Sequence, residues 1–371
     1  LEAAKQLGMR SVPVIRIGNL TGPQKRALRL ADNKIAENAG WDLEILAAEL
    51  ADLSTLELDF KLEVTGFDVP EIDLIIGNAP DDAPQPETAP LPDLTAPAIS
   101  RAGDLWQLGP HRVLCGDALH ADSYARLLDG EVADVGFCDP PFNVRINGHV
   151  CGKGRLQHRE FLQASGEMSE DEFTDFLGTA FAHAATHSRD GAVWFAFIDW
   201  RHVTEMKAAG LGAFGTWLNM CVWVKTNAGM GSLYRSQHEL VFVFRNGRAA
   251  HRNNVQLGKF GRNRSNVWTY PGVNTFREGR MDELSSHPTP KPVALVQDAL
   301  LDVSKRGDVV LDPFLGAGAT LIAAERSGRV ARGIELDPSY IVVVLRRWRD
   351  ETGQEPMRVA DGRTLASLEE E

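Results

Sequence analysis

The stretch Val309-Val310-Leu311-Asp312-Pro313-Phe314-Leu315-Gly316-Ala317-Gly318-Ala319-Thr320 decides how this chain folds. Val309 to Leu311 read as a buried strand, and Pro313, Gly316 and Gly318 turn the chain. The alanine-rich run that follows, Leu-Ile-Ala-Ala-Glu, reads as a helix. Glycines let a backbone approach a ligand closely, and a helix N-terminus offers unpaired N–H groups. The next apolar run, Val330–Glu335, reads as a second strand, and it delivers Glu335 nineteen residues after Gly316. A carboxylate there suits a bidentate hold on ribose hydroxyls. The unit therefore reads as a pocket for a nucleoside-bearing cofactor. A tight turn that merely needs glycine is the plainer alternative. There is no Gly-Lys-Ser/Thr ending and no full Gly-x-Gly-x-x-Gly, which argues against a phosphate loop.

Outward from that unit, strand-like runs alternate with helical ones. The strands are expected at Arg112–Cys115, Val132–Cys138, Ala192–Ile198, Met220–Lys225, Leu240–Phe244, Val309–Asp312 and Val330–Glu335. The helices are expected at Ser169–Ala185, His202–Ala209, Pro292–Val303, Thr320–Ser327 and Ser339–Glu351. Such alternation predicts an open α/β sheet with helices on both faces. Before it, Val12–Ile17 reads as a strand and residues 24–38 and 41–53 as helices, with Asp42 a plausible N-cap. Residues 79–98 (APDDAPQPETAPLPDLTAPA) hold six prolines and few large apolar side chains, the composition of an extended linker.

The chain has 371 residues, enough for two or three domains. Its net charge of −12, from 39 basic and 51 acidic residues, argues at first against a nucleic-acid partner. The charge is uneven, however. Residues 1–100 carry 8 basic and 17 acidic residues, so the rest is nearly balanced. Residues 245–280 concentrate eight cations: Arg245, Arg248, Arg252, Lys259, Arg262, Arg264, Arg277 and Arg280. No apolar run is long enough for a membrane helix, and no secretory leader opens the chain. The first residue is Leu1 rather than Met, which suggests a piece of a longer product. Cys115, Cys138, Cys151 and Cys221 form no Cys-x-x-Cys pair, so free thiols in a reducing compartment are expected. His183 and His187 lie four apart on a predicted helix, but no third metal ligand presents itself.

A second motif is Val132-Ala133-Asp134-Val135-Gly136-Phe137-Cys138-Asp139-Pro140-Pro141-Phe142. A buried strand delivers an Asp, two prolines and an aromatic to its C-terminal edge, where open α/β sheets bind ligands. The prolines fix the backbone and remove N–H donors. Asp139 and a neighbouring carbonyl can accept both hydrogens of an exocyclic amine, and Phe142 can stack on a base.

Asp-Pro-Pro-Phe together with Phe-Leu-Gly-Ala-Gly resembles the amino-group DNA methyltransferases, which modify adenine N6 or cytosine N4. The loop at 139–142 precedes the one at 314–318, with a basic segment between them, and this order resembles the β-class permutation. The resemblance covers about residues 103–365. It implies a Rossmann-like S-adenosylmethionine-dependent fold, a mixed open sheet with circularly permuted motif order, behind a small α+β N-terminal segment. His287-Pro288-Thr289-Pro290-Lys291-Pro292 and Cys115-Gly116-Asp117-Ala118 are similar to further cofactor-contacting segments of the family. The implied cofactor contacts are Asp117, Thr289, Lys291, Asp312, Phe314, Gly316, Gly318, Thr320 and Glu335, with Lys291 a candidate for the methionine carboxylate. The implied catalytic loop is Asp139, Pro140, Pro141 and Phe142, where Phe142 replaces the commoner Tyr. The implied reaction is direct methyl transfer to a flipped base, with no cysteine nucleophile. Asp at the first motif position favours adenine; N4-cytosine, RNA, and a non-catalytic DNA-binding adaptor are the alternatives.

The basic stretch is the expected target-recognition segment, about 245–286; Arg252, Lys259, Arg262, Arg264 and Arg277 within it, and Lys225 before it, are the expected DNA contacts. In Val222–Val241, Lys225, Tyr234 and Glu239 could face DNA or base, with a plain surface connection the alternative. Asp199-Trp200 is another strand-end candidate. Residues 1–17, 26–42 and 64–76 resemble part of a ParB-like fold. The expected domains are therefore a partial ParB-like domain at 1–77, a linker at 78–102 and a methyltransferase domain at 103–371. Double-stranded DNA is the expected partner, pairing of two copies is common in this class, and no membrane is involved. A cytoplasmic bacterial or phage setting is expected, whether as part of restriction-modification or as an orphan prophage modifier.

Overall fold

The computed structural model describes residues 43–55, 62–77, 99–144, 163–226, 228, 233–259, 262–272 and 291–370. The strand expected at Val12–Ile17, the helix at 24–38 and the proline-rich stretch at 79–98 lie outside them. Two N-terminal helices, α1 (Leu43–Thr55) and α2 (Val69–Gly77), pack around Leu46, Leu50 and Ile72 in a small core of their own. Asp73 of α2 reaches into the main body. It is buried and forms two hydrogen bonds with the Arg329 guanidinium, at 3.0 and 2.8 Å.

The main body runs β1 (Leu105–Leu108), β2 (His111–Cys115), α3 (Ala121–Leu128), β3 (Ala133–Cys138), α4 (Glu170–Thr186), β4 (Ser188–Ile198) and α5 (Val203–Phe214). It continues with β5 (Gly215–Val224), β6 (His238–Asn246), β7 (Val267–Thr269), α6 (Val293–Val303), β8 (Val309–Asp312), α7 (Ala319–Ser327), β9 (Val330–Glu335), α8 (Pro338–Thr352) and β10 (Met357–Arg358). The strands form one sheet in the order β10-β1-β2-β9-β8-β3-β4-β6-β5-β7. From β2 to β4 the neighbours are parallel, whereas β1, β6 and β10 run antiparallel to their partners. This is the open α/β sheet predicted from the alternation, with the mixed strand directions that the family resemblance implies.

Side chains alternate across the sheet, as strand geometry requires. Val135, Phe137, Phe195 and Phe197 face one way, onto Leu295 and Val296 of α6, Leu321 of α7 and Leu345 of α8. Cys138, Trp194, Ala196 and Ile198 face the other, onto Tyr124 of α3, Phe173 and Phe181 of α4, and Met206 of α5. Close packing fixes one glycine. A Cβ on Gly136 would lie 2.1 Å from the Trp194 ring. Helix α4 begins where Ser169 and Glu172 form a reciprocal capping box. His183 and His187 on α4 engage the backbone oxygens of Leu119 and His183 respectively, and they flank the Tyr124 ring.

The topology sets one edge apart. Parallel strands β2, β9, β8, β3 and β4 all end there. Because β6 is antiparallel to β4, its first residues lie at the same edge, and so do the last residues of β5. Residues 245–252 follow β6 to the opposite edge. The expected DNA contact Arg252 therefore stands beside Asp134 and Asp308, at the starts of β3 and β8, around a cavity of about 440 Å³. Arg252 thus lies a full strand length from the Asp-Pro-Pro-Phe loop.

Candidate active site

Asp117, Glu335, the glycine turn and Asp139 follow β2, β9, β8 and β3, four neighbouring strands in the sheet. The glycine turn takes its shape from Gly316 and Gly318, whose φ angles of 53° and 80° disfavour other residues. Gly318 is the N-cap of α7, with no side chain over the helix end. Glu335 braces this turn. Its Oε2 accepts from Gly316 N at 2.8 Å, and its Oε1 accepts from Asp337 N at 2.9 Å. Burial raises its carboxyl to about 7, despite those backbone donors. Each oxygen keeps a second lone pair for a ligand hydroxyl. Asp117 Oδ1 accepts from Leu119 N and its Oδ2 accepts from Gln163.

Two expected cofactor contacts face inward instead. Asp312 is 3% exposed and accepts from Phe314 N at 3.0 Å, and it also hydrogen-bonds the buried Thr320 hydroxyl. Burial raises Asp312 to about 7. Asp312 and Thr320 thus shape the turn from behind. Phe314 packs against Phe176 of α4, with ring centroids 5.9 Å apart. Thr289 and Arg277 lie outside the described residues.

Beyond β3 the site is a chain of charges. Lys291, immediately before α6, places Nζ 2.5 Å from Asp139 Oδ2 and 3.2 Å from Glu239 Oε2. Glu239, at the start of β6, holds Lys225 Nζ at 2.5 Å through Oε1. The Lys291 ammonium also faces the rings of Phe142, Phe197 and Trp223, 5.1 to 5.8 Å from their centroids. Asp139 Oδ1 is buried and has no hydrogen-bond partner among the described residues. Burial is the largest influence on Asp139 and lifts its carboxyl to about 6, with Lys291 pulling it down and Glu239 pushing it up. Burial would raise Glu239 as well, but Lys291 and Lys225 outweigh it and hold it at about 2. Burial disfavours the Lys291 cation, and Asp139 and Glu239 overcome that and raise its pKa.

Lys291 therefore faces the Asp-Pro-Pro-Phe loop. Lys225, expected on DNA, is committed to Glu239 and lies over the Trp223 ring. Glu239 is 5% exposed, whereas Tyr234 is 84% exposed. Asp199 caps its own turn at Arg201, and Trp200 is exposed beneath the Arg201 guanidinium.

Arg262 and Arg264, expected on phosphates, are turned inward. Arg262 is 7% exposed and binds Asp302 at 2.7 Å and Asp298 at 3.2 Å. Arg264 binds the same two acids at 3.0 Å each, and also the Tyr270 hydroxyl. These guanidiniums pin the segment onto α6. Their acidic partners lie 34 to 40 residues further along the chain, so composition alone reads the stretch as free basic charge. Lys259 adjoins a 3₁₀ turn (Gln256–Gly258) on the same path.

A glycine turn at a helix N-terminus, a strand-end carboxylate and an Asp-Pro-Pro-Phe loop on one sheet edge define an α/β group-transfer site. The chain belongs to the N6/N4 DNA methylase family, whose profile matches residues 133–346. A second profile, the ParB-methyltransferase HTH domain, matches residues 44–102. That match begins at α1 and runs on through the proline-rich stretch.

Among curated relatives, the DNA adenine methyltransferase YhdJ of Escherichia coli K12 is 46% identical over 82 residues, 22% of this chain and 26% of that protein. The type II methyltransferase M.ScaI of Streptomyces caespitosus is 33% identical over 93 residues, 25% of this chain and 31% of that protein. The chain thus spans about a quarter to a third of those relatives' lengths. Among solved structures, the cytosine-N4-specific PvuII DNA methyltransferase is similar at 14% identity with a TM-score of 0.48, covering 64% of this chain and 85% of that one.

Proposed function

We propose that this chain moves a methyl group from S-adenosylmethionine to the N6 amino group of adenine in double-stranded DNA. The carrying observation is the buried, unpartnered Oδ1 of Asp139 at the strand edge beside the glycine turn. Such an atom lacks a donor, and a flipped base supplies one as an exocyclic amine. Asp139 Oδ1 accepts one amine hydrogen and the Pro140 carbonyl accepts the other. The nitrogen lone pair is then aimed away from both, and positioning is the main catalytic contribution. Phe142 offers its ring to the base. Oδ1 is also the basic atom placed to take the proton that the methylated amine sheds.

The cofactor fits the residues present. Gly316 and Gly318 leave room, the open N-terminus of α7 leaves N–H groups, and the free lone pairs of Glu335 suit ribose hydroxyls. Asp117 closes the pocket on the β2 side. S-adenosylmethionine supplies an electrophilic methyl group on a sulfonium sulfur. The setting proposed is the cytoplasm, with two copies of the chain paired; sedimentation reads the pairing.

Adenine is favoured by the Asp at the head of the motif. Expressing the chain in an unmethylated host and sequencing the genome with modified-base detection tests the reading. N6-methyladenine at a recurring site supports it. N4-methylcytosine or an unmodified genome overturns it.

A further inference from the structure

Glu239 and Lys225 are the members of the site's charge chain that no motif contains. The neighbours of Glu239 at that end of the sheet are few and specific. Lys291 faces it from the start of α6 and Lys225 from the end of β5. Asp139 approaches from the loop after β3, and Asp312 lies behind on β8. Phe142, Phe197 and Trp223 wall off the Lys291 ammonium. The side-chain exposure of Lys291 is 3% and that of Glu239 is 6%.

A lysine buried in this way needs a counter-charge to hold it in place. Without Glu239, Asp139 alone would have to supply it. The second carboxylate changes this. With Glu239 on its far side, Lys291 takes only Oδ2 of Asp139 and leaves Oδ1 free.

We infer that Glu239 is a positioning residue, which together with Lys225 anchors Lys291 so that Asp139 presents a single oxygen to the target amine. This rests on the methyltransferase reading above. Glu239 acts through Lys291, whose Nζ lies 3.2 Å from its Oε2. Its charge and that of Lys225 reach Asp139 with opposite signs, which provides a readout that a purely structural role lacks.

The test compares E239Q and K225M with the unmodified chain in steady-state methylation of DNA, across pH 5 to 8. E239Q removes a negative charge, so the acid limb of kcat/KM moves to lower pH. K225M removes a positive one, so the limb moves to higher pH. In E239Q, kcat falls about 10-fold or more, as for a misplaced reacting group, while KM for S-adenosylmethionine stays within about 2-fold, and E239D recovers part of the loss. Limbs that stay put in both variants, or a loss confined to KM, overturn the inference. Lys225 is partly exposed, so K225M keeps the test decisive if E239Q does not fold. An unmodified chain that methylates nothing instead defeats the underlying reading.

Discussion

Lys291 Nζ lies 2.5 Å from Asp139 Oδ2, joining residues 152 positions apart in the sequence. The contact ties the segment before α6 to the loop after β3. It also occupies Oδ2 and leaves the buried Oδ1 without a partner among the described residues.

Asp139→Asn keeps the volume of the side chain and removes its charge. Methyl transfer should fall by about 10²–10³-fold, the scale for losing one preorganised polar group. A heat-shift assay should still register S-adenosylmethionine, because the glycine turn and Glu335 are untouched. Normal turnover would remove Asp139 from the chemistry.

Lys291→Met leaves Asp139 and Glu239 buried together without their shared cation. Breaking one side of a buried pair costs about 3–5 kcal/mol, readable in urea titration. In whatever folds, Asp139 should titrate well above its present value of about 6. If Lys291 instead served only a cofactor carboxylate, KM for S-adenosylmethionine would rise while the pH profile stayed fixed.

The pH dependence has a definite sign. Asp139 must be ionised to accept the amine hydrogen, and burial has raised it to about 6. Activity should therefore be flat above pH 7 and decline as the pH falls through 6. A kcat/KM profile reads this directly. A decline that begins only near pH 4, the range of an exposed carboxylate, would contradict the buried site.

Arg262→Ala should weaken the fold and leave DNA electrostatics alone. Its guanidinium is buried between Asp298 and Asp302, so its loss leaves both acids to Arg264 and empties a buried site. The expected cost is about 3–5 kcal/mol in denaturant unfolding. The slope of log K against log salt should not change, since no phosphate contact is lost. A slope reduced by about 1 would place Arg262 on DNA.

The parts of this fold that could be read in the sequence were those governed by neighbours along the chain. Val309–Asp312 and Val330–Glu335 appear with the expected bounds, because β-branched runs beside glycine turns leave few alternatives. Strands β1, β7 and β10 have four, three and two residues, too short to show a period. Helix α3 escaped notice because its eight residues make only about two turns, too few to establish a period. The glycine turn and Asp139 carry local signatures, whereas the pairing of Lys291 with Asp139 and Glu239 comes from the crossing of β3, β6 and α6. The basic stretch misled for the same reason. Its charge was visible, but Asp298 and Asp302 reach it only through the folded topology.

Amine methylation is tested most directly by incubating unmethylated DNA with the chain and isotopically labelled S-adenosylmethionine, digesting the DNA to nucleosides and identifying the labelled product by mass. Labelled N6-methyldeoxyadenosine is expected with the unmodified chain, and about 10²–10³-fold less of it with Asp139→Asn. Label in N4-methyldeoxycytidine, or undiminished label with Asp139→Asn, would contradict this assignment.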